Sequence, residues 1–465
     1  MTQNLLNAGM RRLLRPITEV HDHELGTTLR LTVRIFLVMV AYYLLKPTRE
    51  ALILADGSAE LRSYAVAAQA LLLLLILPFY SYFSRRHVGE GLFVGVTLFF
   101  ISNLVIFYFL GVSGVSLGLV FFIWLGIFNV TQVAQFWALA ADIHSVESGQ
   151  RLFALIALGG SLGALVGSQV AEQLFEVLGP FQIMLVAVGV LVAGILVGMG
   201  IRRDEERGER RRESPASGYQ ALLGGLAPVL RDPYLRLIAL FVVMLNCINT
   251  TGEFILADLV VAHVEESLVE GESKGALIGS FYADFFFWVN LLSLLFQLFL
   301  VSRLYRFVGV QGALLILPLI ALSGYALMAF IPIFAVVRAV KILENGTDYS
   351  IQTTTRHVLF LPLTVEGKYD GKTAIETLFW RTGDLLQAGV VFIGVSYLGF
   401  ATQQFALVNM LLAALWVIVA LRIGQRYKAL ACPVDKSGYY PPEMAEPPPR
   451  YAEAKSAARG SGSGE

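Results

Sequence analysis

The sequence predicts an all-α polytopic membrane protein, about twelve transmembrane helices in two pseudo-symmetric six-helix bundles, and three observations carry that prediction. The first is composition: of 465 residues, 56% are hydrophobic and only 15% charged, whereas a soluble domain carries about 25% charged residues. The second is the recurrence of apolar runs of about 18 residues or more, each long enough to cross about 30 Å of hydrocarbon. The third is a charged stretch, R-R-D-E-E-R-G-E-R-R-R-E-S-P-A-S-G from Arg202 to Gly218, that falls between the sixth and seventh runs. A hydrophilic connector at that place divides the chain into two halves of six spans.

Taken in order, residues 1–30 are polar and basic, with no short apolar core before a small-residue cleavage site. No cleavable signal peptide is expected there, and the first span is retained. Spans are predicted near 31–55, 61–83, 91–111, 116–142, 152–175 and 180–201, then 233–262, 276–301, 309–331, 332–361, 373–398 and 403–424. The domains are accordingly an N-terminal segment (1–30), a first bundle (31–201), a charged linker (202–232), a second bundle (233–424) and a tail (425–465). From Pro433 the tail is rich in Pro, Glu and Gly, a composition expected to be disordered. Arg11, Arg12, Arg15, Arg85, Arg86, Arg151, the linker cluster, Arg303, Arg306, Lys368, Lys372, Arg426 and Lys428 fall on one side, with Lys274 the clear exception opposite. The positive-inside rule then puts both termini in the cytoplasm, as for a bacterial inner-membrane protein.

Local features refine the spans. Gly159, Gly163 and Gly167 in the fifth span, and Gly194 and Gly198 in the sixth, recur every four residues and predict close helix–helix approach. Pro47 removes a backbone bond inside the first span and predicts a kink; Asn345-Gly346 predicts a break in the tenth. Two echoes link the halves: E-A-L-I-L-A-D (Glu50–Asp56) with E-F-I-L-A-D (Glu253–Asp258), and S-V-E-S-G (Ser145–Gly149) with T-V-E-G-K (Thr364–Lys368). They pair the first span with the seventh and the fourth with the tenth, as duplication of a six-helix unit requires.

Charge within spans is the functional signal. An ionisable side chain at a helix centre costs about 2.5–3.5 kcal/mol, against about 0.3–0.6 returned by a Leu or Ile. The tenth span nevertheless holds Arg338, Lys341, Glu344, Asp348 and Arg356, the first Lys46, Arg49 and Glu50, and the seventh Glu253 and Asp258. The fourth offers Asn129, Thr131, Gln132 and Gln135 and ends at Asp142. These helices must face one another or a wet cavity. Arg49, Glu253, Arg356, Lys46, Gln132, Gln135, Asp348 and Tyr349 are the candidate cargo-binding residues. Glu50, Asp258, Glu344, Asp142, Asp284, Arg381 and Asp384 are candidates for coupling or gating. Lys46 and Glu50 stand four apart and are expected to pair, which leaves Arg49 as the less committed cation.

At these residues the chain resembles the nucleotide transporter family, the ATP/ADP translocases of plastids and obligate intracellular bacteria. L-L-K-P-T-R-E-A-L-I-L (Leu44–Leu54) is similar to the family's first-helix motif, and F-W-A-L-A-A-D-I-H-S-V-E-S-G-Q-R-L-F (Phe136–Phe153) to its junction of helices 4 and 5. T-G-E-F (Thr251–Phe254) puts Glu253 at the family's functional glutamate. D-Y-S-I-Q-T-T-T-R-H-V-L-F-L-P-L-T-V-E-G-K-Y-D-G-K-T-A-I-E is the strongest match, with Arg356 at the second basic position. The resemblance spans roughly residues 30–425. It implies a major-facilitator-type fold in which helices 1, 4, 7 and 10 surround a central cavity, and nucleotide exchange by alternating access. Two departures stand out: the fourth span has no acidic residue inside it, and both basic positions are arginine, whose fork suits phosphate.

Other chemistry finds little footing. E-G-K-Y-D-G-K-T (Glu366–Thr373) lacks the first glycine and the preceding strand of a phosphate loop, and no nucleophile elbow or zinc-protease motif occurs. H-D-H-E (His21–Glu24) reads as a solvated segment. Cys247 and Cys432, the two cysteines, are too differently placed to pair. No enzyme activity, cofactor, metal or nucleic-acid partner is expected; the partners are an anionic small molecule, with a nucleotide foremost, and membrane lipid. Three readings stand: a nucleotide-type anion exchanger, a proton-coupled facilitator for another substrate, and a non-transporting membrane assembly protein.

Overall fold

The structure is a computed structural model that describes residues 21–86, 89–199, 224–331 and 333–431. Residues 1–20, the Arg202–Gly218 run and the tail from Pro433 lie outside the described residues, and so do the readings that concern them. Helix α1 (Asp22–Ala55) is followed by α2 (Ala59–Arg86), α3 (Glu90–Val112), α4 (Gly118–Ile143), α5 (Val146–Val177) and α6 (Gly179–Gly198). A short helix, Leu226–Arg231, leads into α7 (Pro233–Ser267). Helix α8 (Lys274–Leu295) continues through a π turn, Phe296–Leu300, into the stretch Val301–Phe330. That stretch breaks at Gly309, whose φ of 65° favours glycine; residues 310–330 after the break are α9.

Helix α10 comprises Phe334–Thr347, a π turn at Asp348–Gln352, and Thr353–Leu359. Helix α11 enters through π turns at Gly367–Gly371 and Ile375–Phe379 and runs on as Trp380–Ser396, and α12 is Thr402–Ala431. Among the described residues, ten helical stretches are long and apolar enough to cross a membrane. One of these, Lys274–Phe330, has 57 residues; at 1.5 Å per residue it would reach about 85 Å unbroken, so the turn at Gly309 makes it two crossings. Helix α10 is excluded from the ten by its charges and supplies the twelfth crossing.

Glycine sets the spacing of the first bundle, as its period predicts. A Cβ on Gly163 would lie 2.3 Å from the Phe36 carbonyl oxygen, and one on Gly159 2.7 Å from that of Thr32. Helix α5 therefore packs backbone to backbone on α1. Gly198 leaves room for the fully buried Arg34, which donates to the Gly194 carbonyl at 3.1 Å and pairs with Glu90. His21 immediately precedes α1, and its backbone N–H donates to Glu24 at 3.4 Å as a helix cap.

The first span stays helical around its proline, and the break predicted in the tenth takes another form. Helix α1 runs through Pro47 without a break, and the Thr48 hydroxyl donates to the Leu44 carbonyl at 2.9 Å beside it. Asn345 and Gly346 are helical, and Gly346 is the surface against which Leu292 of α8 packs. The irregularity moves one turn on, into the π turn at Asp348–Gln352. A widened turn keeps the helix while re-aiming the side chains around it.

Candidate functional site

Where the two bundles face each other they enclose a cavity of about 280 Å³. Its wall comes from α1, α2, α4, α7, α8, α10 and α11, and carries Lys46, Arg49, Arg62, Glu253, Arg381 and Asp384 among its charges. Amides line it at Gln69, Asn129, Asn246 and Asn249, and aromatic faces at Tyr42, Phe122, Phe286, Tyr349 and Trp380. A planar solute with a charged end meets both kinds of group here.

The far end of the cavity, away from the end where α1 begins, is held by one buried arginine. Arg62 of α2 donates from Nε to Glu50 at 2.7 Å and from Nη2 to Glu253 at 2.6 Å. Glu50 and Glu253 belong to the two echoing segments of the sequence, one from each half, and both close on the same guanidinium. Arg49 also pairs with Glu50, its Nε donating at 3.1 Å, and its guanidinium lies 4.2 Å from the centre of the Phe122 ring. Beside this cluster Gln387 of α11 donates to Ser63 of α2 at 3.1 Å. Both the Arg62–Glu253 pair and the Gln387–Ser63 bond tie one bundle to the other. The Nη1 of Arg62 is buried with no hydrogen-bond partner.

Lys46 behaves differently. Its ammonium has no carboxylate oxygen within 4 Å among the described residues and sits among rings, 3.9 Å from the centre of Phe286, 5.2 Å from Tyr43 and 5.7 Å from Tyr349. The expected Lys46–Glu50 pair is therefore absent. Glu50 turns to two guanidiniums, one adjacent in sequence and one from the next helix, and their planar donors saturate both its oxygens. Arg49, expected to be the less committed cation, is the more committed one.

The other ionisable residues sort by face. Arg381 pairs with Asp384 at 3.3 Å, and Asn246 donates to that same aspartate at 2.7 Å. Glu344 does not line the cavity; it is buried against Lys341, 2.9 Å away, and accepts from the Tyr325 hydroxyl at 3.0 Å. Arg356 lies just behind the wall, its guanidinium 4.5 Å from the ring centre of Trp380. Asp348 is 4% exposed, with Oδ1 unpartnered.

Five predicted residues are placed elsewhere. Gln132 is fully buried and donates to Thr97 of α3 at 3.1 Å, and Gln135, 5% exposed, likewise does not line the cavity. The cavity face of α4 is instead Phe122, Gly126, Asn129 and Val130. Asp258 is exposed near the far end of α7 and accepts from Thr402 at 2.7 Å. Asp284 pairs with Arg338 and accepts from the Trp288 indole at 3.0 Å, outside the cavity. Asp142 ends α4 at the opposite end from the Arg62 cluster. Arg62 itself was not foreseen. It lies four residues into α2, where a cation near a span end costs little, so hydropathy gives no signal for it.

Known proteins bear on the family and the fold of the chain. Residues 5–112 and 279–427, more than half of the chain, match the family model described as TLC ATP/ADP transporter. The chain is 24% identical to ADP,ATP carrier protein 1 of Chlamydia pneumoniae over 63% of this chain and 64% of that protein. It is 22% identical to ADP,ATP carrier protein 1 of Chlamydia trachomatis serovar D over 97% of this chain and 96% of that protein. Among solved structures, the nucleoside transporter NupG superposes with a TM-score of 0.59 at 12% identity, covering 87% of this chain and 98% of that one. A bacterial homologue of the lysosomal transporter Spinster does so with a TM-score of 0.54 at 13% identity, covering 91% and 100%. At such identities these superpositions establish the major-facilitator-type fold and nothing finer.

Proposed function

Because this chain belongs to the TLC ATP/ADP transporter family, we propose that it carries a nucleotide, or a nucleotide-like phosphorylated anion, across the membrane by alternating access. The observation that carries this reading is Lys46: a buried ammonium in the cavity between the bundles, ringed by aromatic faces and lacking a carboxylate partner among the described residues. A buried charge requires compensation, and an anionic cargo supplies it. The rings of Phe286, Tyr349 and Trp380 offer faces for a base, and Arg356, stacked on Trp380, is the second cation in reach.

Glu50, Arg62 and Glu253 act in this proposal as the gate of the far side. Breaking Arg62 from Glu253 parts the bundles there, while Arg62 stays with Glu50 on its own half. Arg151, Arg303, Arg306, Lys368, Lys372, Arg426 and Lys428 gather toward the opposite end, which supports cytoplasmic termini in a bacterial inner membrane. On that orientation the described arrangement is the one closed to the outside.

The test is uptake. Purified protein in liposomes preloaded with unlabelled nucleotide is expected to take up labelled nucleotide, and Lys46→Gln is expected to abolish it. Absence of counter-substrate-dependent uptake for every nucleotide tried would remove exchange. Uptake that follows a proton gradient without internal nucleotide would transfer the assignment to proton-coupled transport.

A further inference from the structure

One ion pair of the second bundle faces away from the cavity. Asp284, Trp288 and Leu295 recur at helical spacing along one stripe of α8, and the last two are 46% and 43% exposed. On α10 the open positions beside them are Ala335, Ala339 and Leu343. None of these residues lines the cavity, so the stripe is the bundle's outer, lipid-facing surface. On it the side chains of Asp284 and Arg338 keep 25% and 36% of their area open. Ionisable groups within spans almost always turn inward, as Lys46, Lys341 and Glu253 do here. Both α8 and α10 begin at the far end, and Arg338 lies one turn into α10. That is about 6 Å from its first residue, where headgroups meet hydrocarbon.

The pair is also unsaturated. Among the described residues Asp284 is the one acceptor for the Arg338 guanidinium, reached from Nη2, and Nε is buried without a partner. Asp284 accepts from that Nη2 and, at 3.0 Å, from the Trp288 indole. An ionised carboxylate has about four acceptor positions, so room for a further donor remains. The Phe281 ring lies 5.9 Å from the guanidinium carbon, and the alanines of α10 screen neither charge. Lipid tails cannot answer these groups; a headgroup can.

We propose that Asp284 and Arg338 form a phospholipid site for a zwitterionic headgroup with a primary ammonium, as in phosphatidylethanolamine. A cation and an anion held side by side complement a phosphate and an ammonium joined by a short link. Arg338 donates to the phosphate, and the ammonium donates to the open positions of Asp284. Choline carries the same charges, but its methylated nitrogen has no proton to give. The headgroup of phosphatidylglycerol is a net anion, which meets Arg338 and leaves Asp284 opposite a like charge. The exposed Trp288, tied to Asp284, supplies the aromatic face found where proteins meet headgroups.

The experiment is lipid titration of the purified full chain in detergent, with bound lipid counted by mass spectrometry of the intact complex. Phosphatidylethanolamine, phosphatidylcholine and phosphatidylglycerol with the same acyl chains are the probes. The first is expected to bind about tenfold tighter than the second, the worth of one hydrogen bond between charged groups. Asp284→Asn is expected to erase that preference and keep the weaker phosphate contact, whereas Arg338→Gln is expected to weaken both lipids. Glu265→Gln, in the exposed pair with Lys274, is expected to change nothing. Thermal unfolding without added lipid checks that each variant is folded.

Equal affinity for the ethanolamine and choline lipids overturns the proposal, as does a preference that Asp284→Asn leaves intact. Tighter binding of phosphatidylglycerol than of either overturns it too, leaving Arg338 as a plain anion contact. Cross-linking of two copies through a cysteine at Trp288, abolished by Asp284→Asn, would assign the face to a second copy of the chain and overturn the lipid site.

Discussion

Two lysines lie buried between these helices, and they differ in everything except their charge. Lys341 on α10 is fully buried, and its ammonium donates to Asn249 Oδ1 at 2.7 Å, to the Asn249 carbonyl at 3.2 Å and to Glu344 at 2.9 Å. Its three protons have three acceptors. Gly252 completes the nest, since a Cβ there would meet the Tyr325 hydroxyl at 1.9 Å and Lys341 Nζ at 2.9 Å. Lys46 on α1 is 7% exposed, yet its neighbours are rings. The comparison teaches that a charge inside a span is not of itself a sign of function. What distinguishes a working cation from a structural one is whether the fold has already answered it.

The largest expected effect breaks the satisfied member. Lys341→Met leaves Glu344 buried without its cation and is expected to cost about 3–5 kcal/mol of stability, the range for uncompensated buried partners. Thermal or denaturant unfolding in detergent measures it. The double variant with Glu344→Gln is expected to recover most of the loss, because the uncompensated charge is then gone. A single variant as stable as the wild type would mean that the nest around Lys341 is not closed.

The unanswered member is expected to behave in the reverse sense. Lys46→Met removes a cation that no carboxylate among the described residues contacts, so stability is expected to change by about 1 kcal/mol or less, with a gain as acceptable as a loss. Binding of nucleotide is expected to weaken by about tenfold to a hundredfold, the worth of about 1.5–3 kcal/mol for a hydrogen bond to a charged group. Unfolding and ligand titration on the same sample separate the two effects. A variant that loses stability and keeps binding would exchange the roles assigned to the two lysines.

The sequence made half of this comparison legible. The cost of charge in hydrocarbon singled out α1, α7 and α10, and those helices do line or back the cavity. Glycine spacing in α5 predicted a close helix–helix approach, and the structure makes that approach with α1. Partnership was not legible, because it is decided between helices. Spacing along α1 offers Glu50 to Lys46, and nothing in one dimension reveals that Arg62, twelve residues on, will reach the same carboxylate. Face was missed for a similar reason: Gln132 lies on α4, but on the side that meets Thr97. Asp258 and Asp142 lie close to helix ends, where an ionisable side chain costs little, so their charge alone did not tell whether they face the cavity.

Arg62 tests the clamp between the halves with a smaller effect. Arg62→Lys keeps one positive charge but loses the fork that holds Glu50 and Glu253 together. The expected cost is about 1 kcal/mol of the preference for the arrangement closed at the far end, roughly a fivefold change in population. Labelling of a cysteine placed at Ser63 by a thiol reagent added outside is the readout, and it is expected to rise by about that factor. Unchanged labelling would place the closure elsewhere, on the α5–α8 contact nearer that end, where Phe175 packs on Gly279.

The smallest effect is expected where the geometry is, on distance alone, better than at Lys341. Lys274 and Glu265 approach to 2.7 Å, closer than the 2.9 Å of Lys341 and Glu344. Yet the Glu265 side chain is 57% exposed and that of Lys274 24%, against 3% and 0% for the buried pair. Water already solvates both groups, holding the pair costs side-chain entropy, and salt screens what attraction is left. Lys274→Ala is therefore expected to change stability by about 0.5 kcal/mol or less and to leave nucleotide binding untouched. Unfolding at low and high salt is the measurement, and any small loss is expected to vanish at high salt. A loss comparable to that of Lys341→Met would mean that separation and not burial sets the worth of these pairs, and Lys46 could then not be told from Lys341 by what surrounds it.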